Sequence, residues 1–120
     1  MTDFKNFHLS EFRCRETQEN SMDLTFVGHL DTLRDICGFP FRITSGFRSV
    51  NHSLEINKPN GPGTHTRGIA ADIAVSDGFQ RMNIVHEALK MGVFTGIGVH
   101  KSFIHLDMRD GTPVMWTYYN

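Results

Sequence analysis

A chain of 120 residues is long enough to bury about two thirds of its unfolded surface around one core, so a single domain over 1–120 is expected. With 39% hydrophobic and 21% charged residues it falls outside the disordered and fibrous classes. Twelve Lys and Arg against thirteen Asp and Glu leave a formal charge of -1 with no basic cluster, which argues against a nucleic-acid partner.

The opening residues, Met1 to Phe7, lack a basic region followed by an apolar run, so no Sec signal is expected and synthesis is placed in the cytoplasm. No apolar stretch approaches bilayer length, so no membrane partner is expected. Phe7 to Phe12 reads as an arm turning into a short helical piece. Cys14 and Cys37 have neither CxxC spacing nor the density of a disulfide scaffold and read as reduced, buried thiols.

From Ser21 to Cys37, Leu24, Val27, Leu30, Leu33 and Ile36 recur every three residues between charged positions, predicting an amphipathic helix stopped by Gly38 and Pro40. Phe41 to Ser45 alternates as a half-buried strand and ends at Gly46. Phe47 to Thr66 is crowded with Asn, Pro and Gly and reads as a long loop of the kind that carries function.

Ile69 to Val75 is an apolar strand interrupted only by Asp72. Asp77 to Met91 predicts a second amphipathic helix with Phe79, Met82, Val85, His86 and Leu89 at helical spacing, Ser76 or Asp77 as its cap and Gly92 as its stop. Val93 to Val99 and Phe103 to Arg109 form strands joined by His100-Lys101-Ser102. In the second of these, Ile104, Leu106 and Met108 share one face while His105, Asp107 and Arg109 share the other, which opens on a site. Val114 to Tyr118 closes the chain as a last strand or tail. The expected fold is α+β, a small, mostly antiparallel sheet with helices packed on one side.

Two imidazoles and a carboxylate, His65, Asp72 and His105, suit a zinc ion that keeps its fourth position open for water. His65 and Asp72 lie seven residues apart and would point to opposite faces of a continuous strand, so both reach one ion only if the chain turns between them. Gly68 permits that turn. The alternative is a trio that merely hydrogen-bonds within the core. His8, His29, His52 and His86 read as surface or satisfied core residues, and His86, on a helix, has no partner at metal spacing. An iron facial triad uses the same ligand types, but its order and strand-rich setting differ from this chain.

The blocks Ile43-Thr44-Ser45-Gly46-Phe47-Arg48-Ser49, His65-x6-Asp72, Gly96-Ile97-Gly98-Val99 and Phe103-Ile104-His105-Leu106-Asp107, in that order, resemble the zinc D-Ala-D-Ala carboxypeptidases and related phage and bacterial cell-wall peptidases. Their fold is shared by the Hedgehog signalling domain. The resemblance runs from about Phe7 to Arg109. It implies His65, Asp72 and His105 as ligands of one zinc ion, and Arg48 facing substrate with Ser45 and Ser49 beside it. A guanidinium at that place is suited to holding a peptide carboxylate bidentately; the alternative for Arg48 is an ion pair with Glu55 or another acid nearby.

Many relatives carry a carboxylate three residues before the last histidine ligand, where this chain has Ser102. Asp107 and His100 are the level candidates to replace it as base; orientation of a ligand imidazole is the favoured use of Asp107, and polarising the scissile carbonyl is the other use open to His100. The resemblance implies a monomeric peptidase acting on a peptidoglycan peptide, in a phage or prophage setting, with a bacterial cytoplasmic origin as the alternative. Its rival is a zinc-binding recognition module of the same fold with little hydrolytic activity, which the loss of the carboxylate at Ser102 favours. Phe47, Phe94, Phe103 and Trp116 are read as core, with lining of a substrate groove the alternative for any that lies near the cleft.

Overall fold

The computed structural model describes residues 4–52, 54–55 and 63–118. Its elements are a 3-10 turn at Leu9–Phe12, then α1 Leu24–Cys37, β1 Ile43–Ser45, β2 Ala70–Ala74, α2 Gly78–Met91, β3 Gly96–Val99, β4 Phe103–Asp107 and β5 Val114–Thr117. This is an α+β chain, as expected. The long loop is regular-structure-free in its described parts, and its stretch 56–62 lies outside the described residues.

Both helices begin and end where their caps dictate. Asp23 accepts from the Phe26 amide at 3.0 Å and Asp77 from the Gln80 amide at 2.8 Å, each satisfying one of the amides left over in a first turn. Gly38 and Gly92 close the helices at φ 79° and 71°, the left-handed conformation that glycine adopts without a side-chain clash.

The helix faces differ from those the spacing predicted. On α1 the buried set is Phe26, Val27, Leu30 and Leu33, while Leu24 and Ile36 are exposed. At about 100° per residue, a strict three-residue repeat drifts about 60° per step, so five such positions fan too far around the helix to share one face. On α2 the fully buried residues are Ile84 and Ala88, and Phe79, Met82 and Leu89 face solvent.

The sheet has the order β1-β2-β4-β3-β5. It is mixed rather than mostly antiparallel: β1 with β2, β2 with β4 and β4 with β3 are antiparallel, but β5 runs parallel to β3. The reason lies in β4, whose two edges are already taken by β2 and β3. β5 takes the free edge of β3, and a chain that reverses after β4 runs parallel to β3 there.

Register then sorts the side chains into two faces. Ala71, Ile73, Ile97, Ile104 and Leu106 join Phe26, Leu30 and Leu33 of α1 and Ile84 and Ala88 of α2 in one core, so both helices cover the same face. The opposite face carries two rows. Ser45, Asp72, His105, Gly98 and Trp116 are successive partners across all five strands, and Ala70, Asp107, Gly96 and Val114 form the row beside them. Ser45 reaches its row through a register shift between Ile43 and Ser45, where an irregular pairing re-aims the strand end.

Cys14 is buried and Cys37 half-buried, both as free thiols. Burial pushes the Cys37 thiol up to about 11, which leaves it protonated and inert near neutral pH. Among the described residues, no helix is long and apolar enough to cross a membrane.

Candidate metal centre

His65 arrives from the glycine-rich loop, Asp72 from the middle of β2 and His105 from the middle of β4, where it is the direct partner of Asp72. The turn required between the first two is present. Gly68 sits at φ 74°, and the Gly68 amide donates to the His65 carbonyl at 3.3 Å, folding the loop back before β2 begins. Three potential ligand atoms, one from each residue, lie within 4.8 Å of one another, and this is the one such group of His, Cys, Asp or Glu among the described residues.

The geometry of the donors fits one zinc ion. Asp72 Oδ1 lies 3.4 Å from His65 Nε2 and 2.9 Å from His105 Nδ1. A tetrahedral ion with ligand bonds of about 2.0–2.1 Å separates neighbouring donors by about 3.3 Å. Each imidazole also has its remaining nitrogen occupied. The Gly46 carbonyl accepts from His65 Nδ1 at 2.8 Å, which frees Nε2 for the metal; Asp107 Oδ2 accepts from His105 Nε2 at 2.7 Å, which frees Nδ1. Such partners fix the tautomer and orientation of a ligating ring.

Asp107 is wholly buried, and its carboxylate is also gripped by Arg109: Nη2 donates at 2.7 Å and Nε at 3.0 Å, with the Arg109 amide adding a third bond at 3.0 Å. Gly96 makes room for this carboxylate, since any Cβ there would overlap it. Burial alone raises the Asp107 pKa, but hydrogen bonds from His105 and Arg109 outweigh it and hold the group far below the usual carboxylate range. The same competition takes Asp72 down to about 2, with His105 and His65 as the donors. Burial depresses His105, while Asp107 and Asp72 together raise it above its ordinary value.

These shifts set an expected pH dependence for zinc. Protonated His105, paired with two carboxylates, stabilises the metal-free protein fully below the unfolded value of about 6.5, and that contribution is lost as pH rises through the elevated folded value. Zinc must displace this proton, so its binding weakens below neutral pH. The rise in Tm on adding zinc is therefore expected to grow from pH 6 to pH 8. Thermal unfolding at matched free zinc checks it, and an increment independent of pH would contradict it.

The trio opens on a cleft of about 470 Å³ whose walls include Arg48, Thr64, Phe103, Arg109 and Tyr118. Arg48 donates to Glu55 Oε2 at 3.1 Å and to Ser45 Oγ at 3.2 Å. The ion pair considered for Arg48 is thus present, and Arg48 still lines the cleft. Glu55 is buried and accepts from the Gly63 amide at 3.3 Å, tying this pair to the segment that delivers His65. Ser49 lies elsewhere: it is 1% exposed, donates to Glu19 Oε1 at 2.6 Å and anchors the loop to the N-terminal segment.

His100 is stacked on Phe103 with centroids 4.5 Å apart, in the β3–β4 connection and outside the cleft lining. The Ser102 hydroxyl and amide both bond to His100 Nδ1, at 2.9 and 3.0 Å, and Arg81 of α2 donates to the His100 carbonyl at 3.2 Å and to the Lys101 carbonyl. Of the aromatics read as core, Phe94 is buried, Phe103 lines the cleft and Trp116 is half-buried, with the Arg109 guanidinium 4.7 Å above its ring.

Residues 5–107 match the family described as Peptidase M15. The chain belongs to that family. An M15 member is expected to be a zinc-dependent peptidase, and in this M15 chain the match spans all three candidate ligands. A comparison with curated proteins returns no match. Sequence reasoning left Arg109 and Tyr118 without a role. The signal for Arg109 was its place on the same face of the alternating strand as His105 and Asp107. Tyr118 carried none, because its approach to the cleft depends on β5 lying beside β3.

Proposed function

We propose that this chain is a zinc metallopeptidase that hydrolyses a peptide bond in a peptidoglycan stem peptide or cross-link, next to a D-amino acid, in a fold of the Hedgehog/DD-peptidase type. The observation that carries the reading is the donor triangle of His65 Nε2, Asp72 Oδ1 and His105 Nδ1, with both remaining ring nitrogens anchored, at the base of an open cleft. A zinc ion held there supplies Lewis acidity and brings a bound water near neutrality.

The chain's own residues do the rest. Arg48, on the cleft wall, holds an oxygen of the substrate backbone or its carboxylate, steadied by Glu55 and Ser45. Asp107 keeps Nε2 of His105 protonated and its ring aligned. Proton abstraction does not suit Asp107, whose oxygens are committed to His105 and Arg109 away from solvent. In this reading the protein works as a monomer on a peptide, without nucleic acid or membrane, and a phage-encoded enzyme reaching the wall from the virion or after lysis is the setting that fits.

The second reading, a recognition module with little hydrolysis, is supported by Ser102, an exposed hydroxyl bonded to His100 where relatives place a carboxylate. Incubation of the zinc-loaded protein with purified peptidoglycan fragments separates the two. Cleavage at one defined bond, abolished by a chelator, restored by zinc and reduced to background in His105→Ala, is the expected result. Binding without cleavage across a panel of D-amino-acid peptides would select the recognition module.

A further inference from the structure

We propose that the Tyr118 hydroxyl is a catalytic hydrogen-bond donor, placed to hold the carbonyl oxygen of the scissile bond as that oxygen gains negative charge. The inference rests on the peptidase reading and adds a residue to it.

Tyr118 follows β5, the strand that runs parallel to β3, and it lines the same cleft as His65, Asp72 and His105. Its hydroxyl lies over Gly98. A Cβ built on Gly98 would stand 2.7 Å from the Tyr118 oxygen and 2.7 Å from Trp116 Nε1, so the absence of a side chain there is what admits both groups. Gly98 is the direct strand partner of His105, which puts the phenol oxygen beside the ligand row, while the residue as a whole is 39% exposed.

The ring is held from three sides: Phe103 at 5.1 Å, His100 at 5.6 Å and Trp116 at 6.5 Å between centroids. An oriented hydroxyl on a packed ring is what a preorganised donor requires, because no reorganisation is left to the moment of reaction. The Trp116 indole N–H, a donor only, lies with the phenol oxygen over Gly98 and interacts with it. The phenol's own proton has no acceptor among the described residues. Burial raises the Tyr118 pKa above its ordinary value, so the group stays a donor at neutral pH.

Of the cationic groups on the cleft walls, Arg109 is committed to Asp107, and Arg48, steadied by Glu55 and Ser45, serves the substrate backbone or its carboxylate, which leaves the scissile carbonyl oxygen to the phenol. No covalent step is involved. The O–H is shared with the developing oxyanion and is returned intact when the tetrahedral species collapses.

The test compares Tyr118→Phe with the wild type, both zinc-loaded, on the peptidoglycan fragment that the wild type cleaves. Phe keeps the ring and its three contacts, so zinc content and Tm are expected to be unchanged. The expected kcat falls on the order of 10²-fold with KM within a few-fold. A phosphinate peptide, whose anionic oxygen imitates the tetrahedral species, is expected to bind more weakly by a similar factor in calorimetry, while the cleavage product binds as before. Trp116→Phe, which removes the N–H and leaves the phenol, is expected to lose less than Tyr118→Phe. An active wild type with an unimpaired Tyr118→Phe, or a slowed variant whose phosphinate affinity is unchanged, would overturn this inference alone. A wild type that cleaves nothing overturns the peptidase reading and this inference with it.

Discussion

Asp107→Ala is expected to lower stability by about 2–4 kcal/mol and to weaken zinc binding about 10- to 100-fold. The carboxylate is fully buried and has two cationic or protonated partners, so its removal leaves His105 Nε2 without an acceptor and Arg109 without its ion pair. Breaking a buried pair costs about 3–5 kcal/mol when the survivor stays dry. Arg109 keeps a third of its side chain in solvent, where water takes up part of the loss, and the lower range follows. The metal effect has a separate cause. Without Asp107 the His105 ring is free to flip or to place its proton on Nδ1, the nitrogen that faces Asp72. Zinc titration by calorimetry and thermal unfolding of the metal-free protein measure the two effects independently. A stable variant with full zinc affinity and lost cleavage would instead make Asp107 the base.

That result bears on how the site could be read from residues alone. His105, Asp107 and Arg109 alternate with Ile104, Leu106 and Met108, and such alternation assigns faces without any knowledge of the neighbouring strands. Asp72 and His65 needed more, a turn at Gly68 and the family resemblance, because seven intervening bonds do not say where a loop returns. The helices were legible through Gly38, Asp77 and Gly92, since caps are local chemistry, whereas Asp23, which caps α1, was read only as one more charged position inside a helix starting at Ser21. Their faces were not: on α2 the ridge of Phe79, Met82 and Leu89 is the more conspicuous apolar pattern, yet the core is met by Ile84 and Ala88.

Sheet order is a non-local property, and it was the larger loss. The sequence leaves Val114 to Tyr118 as a last strand or tail and does not say that it runs beside β3, and this placement alone brings Trp116 into the row of His105 and Tyr118 into the cleft. The two glycines of β3 carried the missing information in a form that cannot be decoded without partners. Gly96 is empty for the Asp107 carboxylate and Gly98 for Trp116 and Tyr118, and both meanings come from what lies across the sheet.

Gly68→Ala is expected to be the most damaging single substitution outside the ligands. Gly68 occupies φ 74°, where an added Cβ costs about 1–2 kcal/mol from backbone sterics alone. The Cβ would also overlap the Ser21 carbonyl oxygen and stand 3.1 Å from the Asp23 nitrogen, both main-chain atoms that cannot rotate away. Relief requires the loop to move off the segment before α1. That movement breaks the bond from the Asp23 amide to the Gly68 carbonyl, 2.8 Å long, at the residue that caps α1. The loop that moves is the one that carries His65, five positions before β2 begins at Ala70, so the metal site opens as the core loosens. A loss of about 3 kcal/mol or more, seen as a Tm lower by about 10 °C or more, is expected together with weakened zinc binding. The two losses are expected to separate at saturating zinc, which recovers part of the Tm by binding only the folded state. A variant with wild-type Tm and wild-type zinc affinity would show that the loop can relax without either contact, and would remove Gly68 as the hinge between the first two ligands.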